Sequence, residues 1–132
     1  MKVFADTFYW IALTDLTDTF HERALQVMDD IVTTDEVLSE YLTFFSPAPE
    51  STRREAALSV GDVLRDPTIK VIPQSRESFL AGLKLYTNRP DKRYSLIDCI
   101  SVETMRREGI THALTNDRHF EQEGFHAVFR NS

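Results

Sequence analysis

The sequence predicts an α/β fold built around a parallel sheet. Short apolar or β-branched segments alternate with longer segments whose apolar residues recur at helical spacing. Turn-forming residues separate these segments, and no internal repeat, linker or low-complexity tract interrupts them. Alternation of this kind is typical of layered folds in which helices connect parallel strands. The length of 132 residues suits a single domain, which we expect to span residues 1–132.

In the first half of the chain, the pattern predicts two strands and three helices. Leu38, Tyr41, Leu42 and Phe45 form one helical stripe, and the SPAP segment after it ends the helix because proline cannot continue one. A later helix closes at Asp66-Pro67. These elements cover residues 2–6 (strand), 18–30 (helix), 31–35 (strand), 36–45 (helix) and 51–65 (helix).

In the second half, the pattern predicts three strands and two helices. Phe79, Leu80, Leu83 and Tyr86 recur at helical spacing, and the helix that they define ends before NRPDKR. A second helix begins at Ser95, and Gly109 follows its last turn, where a left-handed backbone is common. These elements cover residues 68–73 (strand), 76–87 (helix), 95–108 (helix), 112–116 (strand) and 126–130 (strand).

Composition excludes several classes of protein. The single Cys99 rules out an intrachain disulfide and a cysteine-based zinc site. A net charge of −6 argues against a generic basic nucleic-acid binder. The apolar run FYWIAL is too short to cross a bilayer, which takes about 20 residues, and the N-terminus shows no signal peptide. We therefore expect a soluble, cytoplasmic protein.

Four acidic residues occupy positions where a parallel sheet gathers ligands. Asp6 and Asp117 each follow a predicted strand, and Asp98 lies in the first turn of the helix that Ser95 would cap. Glu40 lies inside a helix, beside its apolar stripe. Because parallel sheets bind ligands beyond the carboxyl ends of their strands, three of these carboxylates share one edge and the fourth can reach it.

A cluster of carboxylates needs a counterion. Two charges roughly 4 Å apart repel each other by about 4 kcal/mol at an effective dielectric constant near 20. Carboxylate oxygens suit Mg²⁺ or Mn²⁺, whereas zinc prefers sulfur or paired histidines. Such an ion can polarise a phosphoryl oxygen and lower the pKa of a bound water that attacks phosphorus. The pattern thus predicts metal-assisted phosphodiester hydrolysis.

Each of these residues also has a purely structural interpretation. An Asp at the end of a strand is commonly a turn or N-cap residue, which applies to Asp6 and Asp117. Ser95 and Asp98 match a capping box, and Glu40 could be an ordinary solvated side chain. The basic loop Arg89–Arg93 beside the Asp98 helix is either a solvated loop or a phosphate contact through Arg89, Lys92 and Arg93.

Three segments of the chain resemble the PIN domain family, in the arrangement of small stand-alone VapC-type toxins. They are VFADTFYWIAL, TTDEVLSEYLTFF and YSLIDCISVETMRREGITHALTNDRHFEQEGF. The resemblance implies a Rossmann-like parallel sheet with helices on both faces and an Mg²⁺- or Mn²⁺-dependent ribonuclease site. The family's acidic quartet falls on Asp6, Glu40, Asp98 and Asp117, and its auxiliary hydroxyl falls on Thr115.

The same resemblance implies particular partners: an RNA substrate, a small antitoxin protein that inserts into the site, and a second copy of the chain in a homodimer. A toxin and an RNA-processing nuclease without antitoxin remain alternatives. So does a degenerate PIN domain that serves only for interaction. A receiver domain of similar length would need adjacent acids after its first strand, but Asp6 stands alone there.

Overall fold

Five parallel strands form one sheet in the computed structural model, which describes residues 1–130. The last two positions of the domain predicted over residues 1–132 lie outside the described residues. The strands are β1 (Lys2–Ala5), β2 (Asp30–Thr34), β3 (Ile69–Ile72), β4 (His112–Leu114) and β5 (His126–Ala127). Their order across the sheet is β3-β2-β1-β4-β5, and every neighbouring pair is parallel.

Helices cover both faces of this sheet, as predicted. Three consecutive residues of the central strand, Val3, Phe4 and Ala5, are all buried, which is typical of a strand with helices on both sides. The helices are α1 (Thr7–Thr14), α2 (His21–Leu25), α3 (Asp35–Phe44), α4 (Glu50–Arg65), α5 (Arg76–Asn88), α6 (Leu96–Glu108) and α7 (Arg118–Gln122). Helix α1 packs on α2 and α3, and α5 packs on α6. No helix in the described part of the chain is both long and apolar enough to cross a membrane.

The chain order of the strands creates a crevice between β1 and β4. From β1 the chain builds β2 and β3 on one side, and then returns to place β4 and β5 on the other. Ala5 pairs with Leu114, so the carboxyl ends of these two strands lie side by side. Open α/β sheets bind ligands at this kind of switch point, because the loops after the two strands diverge there.

The helix predicted over residues 18–30 is wrong for most of its length, because only α2 (His21–Leu25) is helical. The Asp18 carboxylate accepts a hydrogen bond from the Phe20 backbone N at 2.8 Å and holds a turn before α2. After α2 the chain returns to the amino end of the sheet, where Asp30 at the start of β2 pairs with Lys2 at the start of β1. Met28, in this connection, is 91% exposed.

Helices α1 and α7 were not predicted. The side chains of α1 are apolar all round, and Tyr9, Trp10 and Ala12 are buried, so the sequence lacks the polar face that marks a helix. Helix α7 has only five residues. Such a short segment gives no recognisable period.

The apolar stripe that defines α5 in the sequence is not the face that the helix buries. Phe79, Leu80, Leu83 and Tyr86 are exposed, whereas Ser78, Gly82 and Leu85 are buried against α6. A Cβ on Gly82 would lie 2.4 Å from Cγ1 of Ile100, so the two helices approach each other more closely than a larger residue permits.

The extent of the last strand is also corrected. The strand expected over residues 126–130 is limited to His126–Ala127, because the chain turns at Val128 and buries Phe129 against the rings of Phe8 and Phe20. Phe44, by contrast, is 55% exposed at the end of α3.

Candidate metal centre

Asp6 and Asp117 meet through Thr115 at the carboxyl ends of β1 and β4. Thr115 Oγ1 donates a hydrogen bond of 2.9 Å to Asp6 Oδ2 and accepts one of 3.1 Å from the Asp117 backbone N. Thr115 is fully buried and Asp6 is only 7% exposed. Asp117 is half-buried and begins α7, where its Oδ1 accepts a hydrogen bond from the His119 backbone N at 2.9 Å.

Asp98 combines the structural role considered for it with a place at this edge. The Ser95 hydroxyl accepts a hydrogen bond from the Asp98 backbone N at 3.0 Å, and Asp98 Oδ2 accepts one from the Ser95 backbone N at 3.1 Å. This reciprocal capping box begins α6 and fixes the direction of the Asp98 side chain. The Asp98 carboxylate therefore lies in the cleft in an orientation that the N-terminus of its own helix fixes.

Glu40 reaches the cleft from α3. This helix begins directly after β2, where Thr34 Oγ1 accepts a hydrogen bond from the Val37 backbone N at 3.1 Å. Val37 is buried, whereas Glu40 lies on the edge of the packed face and is half-buried. The hydroxyl of Thr7, which follows Asp6, donates a hydrogen bond to Glu40 Oε1. Glu40 is thus held in place and is not a free solvated side chain.

All four predicted acidic residues line one open cleft of about 670 Å³, and Thr115 lines it as well. Two arginines, Arg118 and Arg130, also lie on its wall. Arg130 Nε is 2.8 Å from Glu121 Oε1, and Arg118 is exposed. The cleft therefore has an acidic floor with basic groups beside it.

Asp6 is the most electrostatically perturbed member of the group. Burial raises its pKa to about 7, and the nearby carboxylates of Asp98 and Glu40 add to the rise. Hydrogen bonds from Thr115 and from the Thr7 backbone oppose it. A carboxyl group in this state is stabilised in its charged form by a bound cation, because the cation offsets both burial and repulsion.

His119 belongs to the same group, although the four histidines are scattered along the chain and show no spacing typical of metal ligands. Its Nδ1 lies 3.2 Å from Asp98 Oδ2 and 3.2 Å from Asp117 Oδ2. In the described residues, the ligand atoms of these three side chains all lie within 4.8 Å of one another. In the sequence, His119 is marked by its position two residues after Asp117 and by its place in the segment that resembles the PIN domain family, where the role of the residues after the last acid varies.

The basic loop Arg89–Arg93 is tied to the fold at its first residue. Arg89 forms two hydrogen bonds to Glu123, with Nε at 2.9 Å from Oε2 and Nη2 at 3.2 Å from Oε1. Arg106 and Tyr94 also donate to Glu123. Burial alone would raise the pKa of Glu123, but these hydrogen bonds outweigh it and lower the pKa to about 2. Arg89 is therefore paired with Glu123. Lys92 Nζ lies 3.8 Å from Asp91 Oδ2.

Comparison with known proteins places the chain among relatives of the same fold. A family profile described as the PIN domain matches residues 3–125. The 23S rRNA-specific endonuclease VapC20 of Mycobacterium tuberculosis, from strains CDC 1551 / Oshkosh and ATCC 25618 / H37Rv, is 24% identical over 127 residues, which cover 93% of this chain and 95% of the relative. The crystal structure of Mycobacterium tuberculosis VapC20, described as a sarcin-ricin loop cleaving toxin, matches with a TM-score of 0.83 and 24% identity, over 96% of this chain and 98% of that one. Because the profile match extends over nearly the whole chain, the protein belongs to the PIN domain family.

Proposed function

We propose that this protein is a metal-dependent endoribonuclease that hydrolyses RNA phosphodiesters with Mg²⁺ or Mn²⁺. The observation that carries the proposal is the convergence of Asp6, Glu40, Asp98 and Asp117 on one cleft of a PIN domain. Relatives over almost the whole chain are named as 23S rRNA-specific endonucleases, so ribosomal RNA is the first substrate to test.

The donor groups of the cleft fit a hard divalent cation. Four carboxylates supply oxygen ligands, and burial raises the pKa of Asp6, so a bound cation would stabilise the ionised form of this carboxyl group. Asp6, Asp98 and Asp117 would hold the ion, and Glu40 would complete the site directly or through water. A divalent cation, when bound there, would polarise a phosphoryl oxygen of the RNA and lower the pKa of a water molecule.

The chain's own residues orient this site. Thr115 holds Asp6 and the start of α7 in place, and Thr7 holds Glu40 by a hydrogen bond to its carboxylate. Arg118 extends from the rim of the cleft and offers a positive charge to an RNA phosphate. The positive charge of Arg118 would help RNA, a polyanion, to bind beside the four carboxylates of a protein whose net charge is −6.

Asp98→Asn tests the activity. The amide oxygen of Asn can still accept the hydrogen bond from Ser95, so the capping box and the fold are retained while one charge is removed. Cleavage of a fluorescent RNA in Mn²⁺ is expected to fall by at least about 100-fold. Asp62→Asn, which changes an exposed carboxylate on α4, is the matched control. Wild-type cleavage by Asp98→Asn, or the absence of metal-dependent cleavage by the wild type, would contradict the proposal.

We further propose that the protein is the cytoplasmic toxin of a toxin–antitoxin pair. Its acidic cleft suits an inhibitory peptide that places an Arg or Lys side chain among the four carboxylates. Phe44 lies four residues after Glu40, on the same face of α3, and its exposed ring offers an apolar anchor beside the cleft. Tyr41, the neighbouring aromatic residue of α3, is buried and cannot serve as an anchor.

A pull-down with the product of the adjacent gene tests this pairing. We expect capture by the wild type and weakened capture by the Asp6→Asn/Asp98→Asn double variant, together with competition by Mn²⁺. Equal capture of both proteins would show that the acidic cleft takes no part in inhibition. No capture of either would favour an RNA-processing nuclease without an antitoxin.

We also propose a homodimer formed through the exposed apolar face of α5. Leu80, Leu83 and Tyr86 are exposed on one helix whose other face packs on α6. Leu83→Glu is expected to shift the mass measured by light scattering from dimer to monomer. Leu64→Glu, at an exposed leucine of α4, is the control and should leave the mass unchanged. A wild-type monomer would rule out the dimer.

A further inference from the structure

We propose, on the basis of the ribonuclease function proposed above, that His119 supplies a nitrogen ligand to the bound cation through Nδ1, beside the carboxylates of Asp98 and Asp117. The site would then hold a mixed oxygen and nitrogen donor set. It would not be purely acidic.

The positions of the three donor atoms carry this inference. Nδ1 lies 3.2 Å from one oxygen of each carboxylate. Adjacent ligands on an octahedral ion with bonds of about 2.1 Å are separated by about 3 Å. Asp117 uses Oδ1 for the His119 backbone N, which leaves Oδ2 facing the imidazole. The three atoms are therefore spaced like neighbouring ligands of one ion.

The imidazole is held at this point by contacts outside the metal centre. The Tyr94 ring packs against it with the centroids 5.0 Å apart, and Tyr94 Oη donates a hydrogen bond of 2.8 Å to Glu123 Oε2. The Glu123 side chain is only 3% exposed and is also bonded by Arg89 and Arg106. Tyr94 is thus a positioning residue that keeps His119 beside the two carboxylates and is itself held by the buried carboxylate of Glu123.

A nitrogen donor changes which ions the site prefers. Mg²⁺ favours oxygen ligands and retains its water, whereas imidazole binds transition-metal ions well. His119 should therefore favour Mn²⁺, and Co²⁺ more strongly, over Mg²⁺. Removal of the imidazole should weaken Mn²⁺ binding by about tenfold or more and leave Mg²⁺ binding much less affected.

Pulsed electron paramagnetic resonance of Mn²⁺-loaded protein labelled with ¹⁵N-histidine tests this ligand directly. We expect ¹⁵N coupling to Mn²⁺ in the wild type and its loss in His119→Asn. The control is His112→Asn at the start of β4, where His112 packs on His126 and away from the cleft. Calorimetric titration of Mn²⁺ and Mg²⁺ into the same proteins measures the change in preference.

The outcomes separate this ligand from the activity. Mn²⁺ that binds without ¹⁵N coupling would overturn the assignment of His119 and leave the ribonuclease proposal standing. Coupling in a wild-type protein that cleaves no RNA would keep the ligand and overturn the activity. A wild type that binds no Mn²⁺ would overturn the ligand, and cleavage in Mg²⁺ would then decide the activity.

Discussion

Thr115 Oγ1 donates a 2.9 Å hydrogen bond to Asp6 Oδ2, although the two residues are 109 positions apart in the chain. The same hydroxyl accepts the backbone N–H of Asp117 at 3.1 Å. One buried side chain therefore links two of the four acidic residues across the crevice between β1 and β4. This link makes the site depend on the alignment of two strand ends.

Thr115→Val should weaken both folding and metal binding. Valine keeps the shape of threonine but cannot donate to Asp6 or accept from Asp117, which costs about 1–3 kcal/mol of unfolding free energy. The pKa of Asp6 should rise further, because the Thr115 hydrogen bond lowers it. Urea unfolding and Mn²⁺ titration at pH 7 measure the two effects. Thr115→Ser retains the hydroxyl, and an equally large loss in that variant would point to packing instead.

The metal-free protein should lose stability as pH rises from about 4 to beyond 7, through the titration of Asp6. Folding raises the pKa of this residue from 3.8 to about 7, so its protonated form favours the folded state and its ionised form opposes folding. A rise of about three units corresponds to at most about 4 kcal/mol.

Asp6→Asn tests this linkage in the presence of EDTA. The variant should be more stable than the wild type at pH 8 and similar to it near pH 4, as measured by urea unfolding. Mn²⁺ at pH 8 should stabilise the wild type more than the variant, because the ion binds the folded site. A gain in stability that is the same at pH 4 and pH 8 would show that the ionisation of Asp6 is not its cause.

Glu123→Gln should destabilise the protein at neutral pH. The substitution removes the charge on a buried carboxylate that accepts hydrogen bonds from Arg89 and Arg106. Because both arginines are partly exposed and screened by solvent, we expect a loss of about 1–3 kcal/mol of unfolding free energy. Because folding lowers the pKa of Glu123 from 4.5 to about 2, its contribution is present above about pH 4.5 and is lost as pH falls towards 2.

Urea unfolding at pH 7 and pH 3 measures this contribution, and the difference between wild type and variant should shrink at the lower pH. Glu50→Gln, in an exposed pair with Arg54 on α4, is the control and should change stability by less than about 1 kcal/mol. A constant difference across this pH range would show that the Glu123 charge is not responsible.

Gly82→Ala should destabilise the protein by about 1–3 kcal/mol, because the new Cβ would lie 2.4 Å from Ile100 Cγ1. Gly61→Ala on α4 is the matched control, since its nearest neighbours are the flexible end of Arg65 at 3.3 Å. Alanine there should be neutral or stabilising by up to about 1 kcal/mol. Thermal unfolding of both variants measures the contrast, and equal melting temperatures would contradict the close packing of α5 on α6.

Local patterns were sufficient to locate most elements of the fold. The β-branched segment around residues 31–35 and the caps at Ser95 and Gly109 act within a few residues, so they can be recognised in the sequence. Helix α1 was missed because it is apolar on every side, and a segment without a polar face shows no helical period.

The sequence by itself determined that Asp6 and Asp117 follow strands and that Asp98 begins a helix, because strand ends and caps are local features. Only the tertiary structure decided that His119 lies between Asp98 and Asp117 and that Glu123 supports Tyr94 beside it. It also decided that α5 buries Gly82 and exposes Leu83. These relationships depend on strand order and helix packing, which bring together residues that are distant in the chain. The spacing of apolar residues within one helix does not show which of its faces will pack against another element.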